Sequence, residues 1–341
     1  MSRLDIKNGL VEMAHGSGGR ASAALIDGLF TRHLDNALLR QGDDATLFEV
    51  SAGRMVISTD AHVVSPLFFP GGDIGSLSVH GTINDVAMSG AKPLYLSASF
   101  ILEEGFSLAE LEKIVISMAE ASRLAGVPVV TGDTKVVESG KGDGVFISTT
   151  GIGVLAEGIR VSGDRAEAGD AIIVSGYIGD HGIAILSSRQ GLEFDTQIQS
   201  DSAALHGLVA DMVQAVPDIH CLRDPTRGGL ATTLNELCKQ SGVGMRIHET
   251  DISVRAEVKG ACELLGLDPL YIANEGKLAC ICPKASAAKL ISVMQAHPLG
   301  REAAVIGEVV ADESRLVVMQ TTFGGQRVVD WLAGEQLPRI C

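Results

Sequence analysis

Short apolar segments that run into acidic turns recur in the first 140 residues, and they restrict the fold more than any other feature. Val127–Val130 has the composition of a buried strand and leads directly into Thr131–Lys135. Arg54–Ser58 leads into Thr59–His62 in the same way, and the strand-like segment Thr46–Val50 follows another acidic turn. Ligand sites on α/β sheets assemble at the ends of strands. We therefore predict an α/β fold with ligand-binding acidic turns at its strand ends.

Helical segments alternate with these strands. The first runs from about Ala21 to Leu34, and a second covers Asp73–Ser89 with Asp73 as its N-cap. A third begins at a capping box formed by Ser107 and Glu110, and it continues to a glycine at position 126. Strands that alternate with helices in this manner are typical of α/β and α+β domains.

Five aspartates stand at comparable places in this segment: Asp43, Asp44, Asp60, Asp85 and Asp133. A single aspartate at a strand end is usually a turn former. Several carboxylates packed together repel one another unless cations lie between them, and Mg²⁺ prefers oxygen ligands of this kind. The group therefore predicts magnesium, although Asp85 and its neighbour Asn84 are equally explained as exposed polar positions of a helix.

Two further segments are suited to phosphate. The glycine-rich stretch His15–Arg20 lacks the lysine and hydroxyl residue of a P-loop, so it is either a flexible entry loop or a lid whose amides close over phosphates. Arg223–Leu230 precedes an amphipathic helix that runs to about Gln240. A helix N-terminus flanked by arginine suits an anion, but a well-capped helix with proline in its first turn explains the same residues.

Composition excludes several classes of protein. The 341 residues are enough for two domains, and 42 acidic against 27 basic residues give a net charge of -15. This acidity argues against nucleic-acid binding. The chain begins without a signal-peptide pattern and has no membrane-length apolar run, so we expect a cytoplasmic protein. The six cysteines form no disulfide or zinc pattern, and Cys280 and Cys282 are best explained as small core residues.

The sequence ends in Pro338–Cys341, which gives the last residue a thiol beside a free carboxylate. Proline discourages helix and favours an extended arm that can reach into a pocket. Prenylation is excluded because its cysteine stands fourth from the end, where this chain has Pro338. An ordinary exposed thiol at a tolerant terminus is the simpler alternative.

Together these motifs resemble the family of hydrogenase maturation factors HypE, within the superfamily of aminoimidazole ribonucleotide synthetase and selenophosphate synthetase. The resemblance covers nearly the whole chain and is carried by His15–Gly19, Gly42–Ala45, Ser58–Asp60, Asn84–Asp85, Gly132–Lys135, Asp224–Leu230, Asn274–Gly276 and Pro338–Cys341. It implies a two-domain PurM-like fold of the α/β (α+β) class. The expected parts are an ATP-binding, dimer-forming domain at residues 1–157, an α+β domain at 158–332 and a mobile tail at 333–341.

The resemblance also implies an activity. The family dehydrates an S-carbamoyl group on its own terminal cysteine to a thiocyanate with ATP, and the cyano group passes to the iron of nickel-iron hydrogenase. Expected partners are a HypF-type carbamoyltransferase, a HypC-HypD scaffold complex and a second copy of the chain, with no nucleic acid and no membrane. An amide oxygen is a poor leaving group, so transfer of the γ-phosphoryl group to it makes expulsion possible.

The resemblance gives individual residues their expected roles. The modified thiol is Cys341, surrounded by Lys135, Asn274 and Glu275, and either Lys135 or Glu275 serves as the base. Magnesium is expected on Asp43, Asp44, Asp60, Asp85 and Asp133. The expected ATP-binding residues are His15, Gly18, Gly19, Asp43, Asp44, Asp60, Asn84, Asp85, Asp133, Thr134, Asp224, Thr226 and Arg227.

Two other functions fit the same sequence. The superfamily fold also suits an ATP-dependent enzyme with a free amide or phosphate acceptor, in which case Cys341 is dispensable. Alternatively, the chain is a nucleotide-responsive scaffold whose tail only docks partners, without chemical change at the thiol.

Overall fold

The computed structural model describes residues 4–17, 19–41, 45–49, 53–190, 198–332 and 339–341. The first half of the chain builds a four-stranded sheet, a two-stranded sheet formed by Phe68–Phe69 and Gly72–Asp73, and covering helices. Its elements are α1 (Gly19–Leu25), α2 (Arg32–Leu34), β1 (Arg54–His62), β2 (Phe68–Phe69), β3 (Gly72–Asp73), α3 (Ile74–Met88), β4 (Lys92–Glu103), α4 (Leu108–Ala125), β5 (Val129–Val137) and β6 (Val145–Leu155). A π-helical turn at Ile26–Thr31 joins α1 to α2, so the helix predicted from Ala21 to Leu34 is present with a widened middle.

The strand order in this sheet is β1-β6-β4-β5, and only β4 and β5 run parallel. In register, Asp60 of β1 lies opposite Thr149 of β6, Thr149 lies opposite Ala98 of β4, and Ala98 lies opposite Gly132 of β5. The side chains of this row face the helices, because successive residues of a strand alternate between the two faces. Asp133 follows Gly132 on β5. Asp60 and Asp133 therefore belong to the two opposite edge strands of the sheet, β1 and β5.

Helix α3 is the central element of this half. Asp73 caps it as predicted, with its carboxylate accepting from the amides of Gly75 (2.7 Å) and Ser76 (3.2 Å). Gly75 allows close packing, since a Cβ there would lie 2.1 Å from the carbonyl oxygen of Ile114 in α4. Nearly every residue of α3 is buried between the sheet and neighbouring helices, so its few polar side chains face protein.

Two predictions about local structure were wrong. Residues 45–49 form no strand, although we expected one at Thr46–Val50. The acidic segments are parts of strands and not turns: Thr59–His62 is the end of β1, and Thr131–Lys135 is the middle of β5. Asp60 faces the helices, whereas the side chains of Asp133 and Lys135 are largely exposed. The two faces of a strand accommodate polar side chains in turn, so both strands continue through polar sequence that we interpreted as a turn.

The second half of the chain builds a seven-stranded sheet in the order β13-β12-β9-β11-β7-β10-β8. Its elements are β7 (Ala171–Val174), α5 (Asp180–Gln190), α6 (His206–Ala215), β8 (Cys221–Arg223), α7 (Gly229–Ser241), β9 (Gly244–His248), α8 (Ala256–Leu265), β10 (Ala279–Cys282), α9 (Lys284–Ala296), β11 (Ala304–Val310), β12 (Val317–Gln320) and β13 (Gln326–Val328). Both faces of the sheet carry an apolar core. Cys280 and Cys282 are buried on one of them, as predicted.

The two halves pack against each other. The apolar core of the first half contains Ile185 of α5, Ala273 and the tail residue Ile340. The domain boundary after residue 157 and a separate tail from residue 333 stay predictions. No helix in the described ranges has the length and apolar character needed to span a bilayer.

Candidate active site at the junction of the two halves

Carboxylates from both halves converge beside α3. Asp60 comes from β1 and Asp85 from α3. Gly81, one turn before Asp85, makes room for the ring of His62, which follows Asp60 on β1. A Cβ at Gly81 would lie 3.0 Å from Cε1 of His62. The second half contributes Asp224, which follows β8, and Glu275, which precedes β10. The charges of these four side chains act on one another, so they form one electrostatic group.

Crowding and burial oppose full ionisation of this group. Burial raises the pKa of Asp85, and the charge of Asp60 raises it further, although a hydrogen bond from Oγ of Ser58 (2.8 Å) works in the other direction. Burial together with the charge of Asp85 raises the pKa of Asp224 to about 7. The group therefore favours a proton or a cation among its members.

Glu275 is the most deeply buried member. Burial, followed by the charges of Asp224 and Asp201, raises its pKa well above the ordinary value. Its backbone is fixed, because its amide donates to Oδ1 of Asp201 (3.0 Å) and its carbonyl accepts from Nδ2 of Asn84 (3.3 Å). Oε1 has no hydrogen-bond partner within the described part of the chain. A fixed carboxyl group with a raised pKa and a free oxygen is suited to proton transfer.

Asn84 and Asn274 are both buried and use their side chains on backbone groups. Asn84 donates to the carbonyl of Ala203 (3.0 Å) and accepts from the amide of Leu205 (2.7 Å), so it ties α3 to the second half. Asn274 donates to the carbonyl of Pro225 (2.9 Å) and accepts from the amide of a neighbouring loop. Both side-chain amides hold backbone segments around the site. The roles predicted for Asn84 in ATP binding and for Asn274 beside the modified thiol stay predictions.

The C-terminal tail brings Cys341 to the carboxylate group. The amide of Val63 donates to the carbonyl of Cys341 (3.0 Å), and Val64 forms an antiparallel bridge with Ile340. Burial raises the pKa of the Cys341 thiol, and so does the charge of Glu275. The thiol thus lies within the electrostatic influence of the Glu275 carboxyl group.

The segment before α7 lies next to the same group. Thr226 forms a turn in which its amide donates to the carbonyl of Asp224 (3.1 Å) and its carbonyl accepts from Gly229 (2.9 Å). Arg227 is exposed, and its charge lowers the pKa of both Asp85 and Cys341. It is a cation placed at the rim of an acidic site, as phosphate binding requires.

Asp133, Thr134 and Lys135 lie elsewhere within the chain. They are on β5, three strand spacings or roughly 14 Å from β1. Nζ of Lys135 pairs with Oδ2 of Asp133 at 3.0 Å, and both side chains are largely exposed. With His15, whose Nδ1 accepts from the amide of Glu12 (2.9 Å), these residues line a cavity of about 270 Å³ beneath α1. Asp133 is therefore not a member of the Asp60 group in a single chain.

A magnesium site is only partly present. Among the residues that the structure describes, no three His, Cys, Asp or Glu side chains are grouped to hold a metal ion. Asp43, Asp44 and Gly18 lie outside the described residues, and Gly19 begins α1. Mg²⁺ is commonly held by one or two carboxylates, with water and substrate phosphates supplying the other ligands. The mutual repulsion of Asp60 and Asp85 fits such an ion.

Sequence reasoning missed several residues of the site. Buried His62 has its Nε2 3.7 Å from Oδ2 of Asp60 and 3.2 Å from Oγ1 of Thr149. The two-residue period of a strand puts Ser58, Asp60 and His62 on one face, and this signal was available in the sequence. His181 and Arg189 contact the tail from α5, but nothing local in the sequence predicts those contacts.

Comparisons with known proteins agree with this architecture. Residues 42–155 match the family of AIR synthase related proteins, N-terminal domain, and residues 167–319 match its C-terminal domain. Carbamoyl dehydratase HypE of Azotobacter vinelandii is 67% identical over 341 residues, which cover 100% of both chains. A crystal structure of hydrogenase maturation protein HypE in complex with ATP is 53% identical, with a TM-score of 0.94 over 97% of this chain and 99% of that one. A HypE-HypF complex is 50% identical, with a TM-score of 0.80 over 91% of this chain and 100% of its counterpart.

The two matched domains and the acidic site between them define an AIR synthase related protein with a PurM-like fold. Within that class, full-length identity identifies the branch. The chain belongs to the HypE family of carbamoyl dehydratases, which act in hydrogenase maturation.

Proposed function

We propose that the protein uses ATP to dehydrate an S-carbamoyl group on its own Cys341 to a thiocyanate. The product supplies the cyanide ligand for the iron of the nickel-iron hydrogenase site. The observation that supports this proposal is the docked tail, which places the Cys341 thiol within the electrostatic influence of Glu275, Asp60 and Asp224.

The reaction balances with one ATP. The carbamoyl oxygen attacks the γ-phosphorus while one N–H proton leaves, which gives an O-phosphorylated imidate and ADP. The C–O bond then breaks, inorganic phosphate departs with that oxygen, and loss of the second N–H proton completes the nitrile. Overall, thiocarbamate and ATP become thiocyanate, ADP and phosphate.

Glu275 is our candidate for the base that removes these protons. Its raised pKa makes the ionised carboxylate a stronger base than an ordinary glutamate. Its Oε1 has no hydrogen-bond partner among the described residues, and its charge acts on the Cys341 thiol. Lys135 is a weaker candidate, because its ammonium is paired with Asp133. Both residues are on β5, at the opposite edge of the sheet from Asp60 on β1. We assign Lys135 to the nucleotide instead.

The nucleotide-binding role follows the predicted residues. His15, Thr134 and Lys135 line the cavity beneath α1. Phe30 and Phe100 line the same cavity, and their aromatic rings suit the adenine ring of ATP. Asp224, Thr226 and Arg227 are the candidates for the phosphate end. Asp60 and Asp85 would hold Mg²⁺, which neutralises phosphate charge and orients the transferred group when it is bound.

The partners follow from the chemistry of the tail. A HypF-type carbamoyltransferase would load Cys341, in line with the HypE-HypF complex formed by a relative. A HypC-HypD scaffold complex would receive the cyano group. The reaction would take place in the cytoplasm, where ATP is available and thiols stay reduced, since the six cysteines are all free in this structure.

A second copy of the chain is the remaining partner. Helices cover one face of the first sheet, and the other face exposes apolar residues that include Ile57, Met55 and Ile101. Exposed apolar area of this kind on a sheet is typical of an interface. We propose that the homodimer forms through this face.

Intact mass spectrometry tests the proposed reaction. Protein carbamoylated by a HypF-type transferase and then mixed with Mg-ATP should lose the mass of one water, and fragmentation should locate the change at Cys341. Retention of the carbamoyl mass during ATP turnover would contradict the proposal.

A matched variant separates the alternatives. If the substrate were a free small molecule, Cys341→Ala would keep full substrate-dependent ATP turnover. If the chain were only a scaffold, partner binding would depend on ATP but would survive Glu275→Ala unchanged. The proposed function predicts that Cys341→Ala abolishes thiocyanate formation altogether.

A further inference from the structure

The tail docks through an isolated antiparallel bridge next to the end of β1. Its carbonyls at Arg339 and Cys341 accept from the amides of Ser65 (3.1 Å) and Val63 (3.0 Å), on either side of the bridge between Val64 and Ile340. Main-chain bonds of this kind hold any sequence, so they fix the direction of the tail but do not select it.

His181 of α5 adds a contact from the other side. This buried ring has its Nε2 2.7 Å from the carbonyl oxygen of Ile340 and its Nδ1 2.8 Å from Oγ of Ser200. A carbonyl can only accept, so Nε2 carries the proton and donates, and Nδ1 of the neutral ring accepts from the serine hydroxyl. Burial lowers the pKa of His181 and favours this neutral form.

Arg189, at the end of the same helix, bridges the tail and the segment Val63–Ser65. Its Nε and Nη2 donate to the carbonyl of Ser65 (2.9 and 2.7 Å), and Nη2 also donates to the carbonyl of Arg339 (2.8 Å). The planar fork of a guanidinium can bind two carbonyls at once, which a lysine cannot do in the same geometry.

Two features of the tail itself matter. Ile340 is only 3% exposed and belongs to the core that contains Val64, Phe69 and Ile185. Arg339 has an exposed side chain paired with Asp143, and its φ of 54° lies in the left-handed region, which costs free energy for a residue with a Cβ. The docked pose therefore needs compensating contacts.

We propose that His181 and Arg189, together with Val63–Ser65, form a clasp that recognises the C-terminal tripeptide and sets the position of the Cys341 sulfur at the carboxylate group. Its ligand is a chain end with a buried aliphatic residue before the terminal cysteine. The side chain of residue 339 contributes little to recognition. His181 and Arg189 are positioning residues, since they act on the thiol through the tail backbone.

The clasp can be tested through the reactivity of the thiol, which does not depend on any enzymatic activity. In the full-length protein, iodoacetamide should alkylate Cys341 slowly, and the five buried cysteines serve as internal references in the same mass spectrum. Arg189→Ala and Ile340→Ser should each raise the rate of alkylation at least about tenfold. Ile340→Val should keep the protection.

Two controls belong to this experiment. Arg165 also donates to a backbone carbonyl, that of Ile219, far from the tail, so Arg165→Ala should leave the labelling rate within about threefold. Arg339→Ala removes an exposed ion pair and should also change the labelling rate of Cys341 less than about threefold. Thermal unfolding checks that each variant remains folded.

The clasp would be overturned if folded Arg189→Ala and Ile340→Ser variants were labelled at the wild-type rate, or if the wild-type thiol already reacted as fast as free cysteine. The proposal extends the proposed dehydration, and the two can fail separately. Water loss by the wild type without any change in labelling among the variants would refute the clasp alone. Increased labelling in the variants, with no water loss in the wild type, would support the clasp and refute the dehydration.

As a second readout, the clasp predicts slower single-turnover water loss in carbamoylated Arg189→Ala, with a normal amount of bound ATP. His181→Gln keeps a donor near the position of Nε2 and should lose less activity than His181→Leu. Equal rates in these two variants would contradict the role given to His181.

Discussion

Glu275 and Cys341 share an environment that raises the pKa of both groups. For the thiol this means that little thiolate exists while the tail is docked, so the inward pose is unsuited to loading by a carbamoyl donor. For the carboxyl group it means a stronger base once it is ionised. The two shifts favour loading with the tail outside and dehydration with the tail inside.

Glu275→Gln tests the base directly. The substitution keeps the size of the side chain but cannot accept a proton, so we expect dehydration of carbamoylated Cys341 to slow by about 10²–10⁴-fold. In the wild type the rate should rise with pH through the raised pKa of Glu275, because only the ionised form accepts a proton. Single-turnover mass spectrometry measures both effects, and a pH-dependent, near-wild-type rate in the glutamine variant would rule out this role.

Asp224 makes a prediction about stability. Its pKa is about 7 in the folded protein against an ordinary value of 3.8, so its contribution to stability is fully present below pH 3.8 and is lost as pH rises to 7. We therefore compare the free energies of unfolding of Asp224→Asn and wild type without Mg²⁺ and ATP. From pH 5 to pH 8, this free energy should rise in the variant relative to wild type by roughly 1–3 kcal/mol. Urea unfolding at the two pH values measures the free energy of unfolding of both proteins. If the difference between variant and wild type were the same at pH 5 and pH 8, Asp224 would ionise normally.

Individual site residues were predictable to different degrees. Asp60, Asp85, Asp224, Glu275 and Cys341 stand in short motifs, and the structure brings them together. The partners that hold the tail were not predictable, because residue 181 and residue 340 are far apart in sequence and a histidine in a glycine-containing turn has many local explanations. Their roles in binding and catalysis remain proposals.

Among the elements, α3 determines the geometry of the junction. It carries Asp85 toward β1, and its Asn84 reaches the backbone of the second half on the same turn. The helix was predictable from its cap and apolar spacing. The surroundings of Asn84 and Asp85 were not predictable, because a polar pair in an apolar helix is equally consistent with exposure to solvent and with burial in an interface.

Asn84→Ala tests this connection. The change leaves the buried amide of Leu205 and the carbonyls of Ala203 and Glu275 without their partner, which should lower the free energy of unfolding by about 1–3 kcal/mol. Ser89→Ala is the control at the C-cap of the same helix, since that hydroxyl donates to the carbonyl of Val86 (2.7 Å) and its loss should cost no more than about 1 kcal/mol. Chemical denaturation decides the matter, and equal losses in the two variants would remove Asn84 from the interface.

At the scale of the whole molecule, two sheets and a docked chain end make one site. The sequence predicted the alternation of helices and strands, but strand order and the opposite-edge position of Asp133 depend on pairing between distant segments. The resemblance to a known family supplied the two-domain fold that local patterns could not. It could not supply the contacts that hold the tail inward.

The proposed homodimer belongs to this scale. Ile57→Asp puts a charge on the open face of the first sheet and should convert a dimer to a monomer in size-exclusion chromatography with light scattering. Leu124 on α4 is the matched control, because it is 71% exposed against 72% for Ile57 and lies outside that face. A dimer that survives Ile57→Asp, or one lost with Leu124→Asp, would contradict the proposed interface.

The central claim is that the carbamoyl oxygen on Cys341 leaves as phosphate oxygen. Protein carrying carbamoyl labelled with oxygen-18 on Cys341 can be given one turnover of Mg-ATP, and the released phosphate can be analysed by mass. The account predicts one labelled oxygen in phosphate for each thiocyanate formed. Thiocyanate that forms while the label appears in water, with unlabelled phosphate, would contradict it.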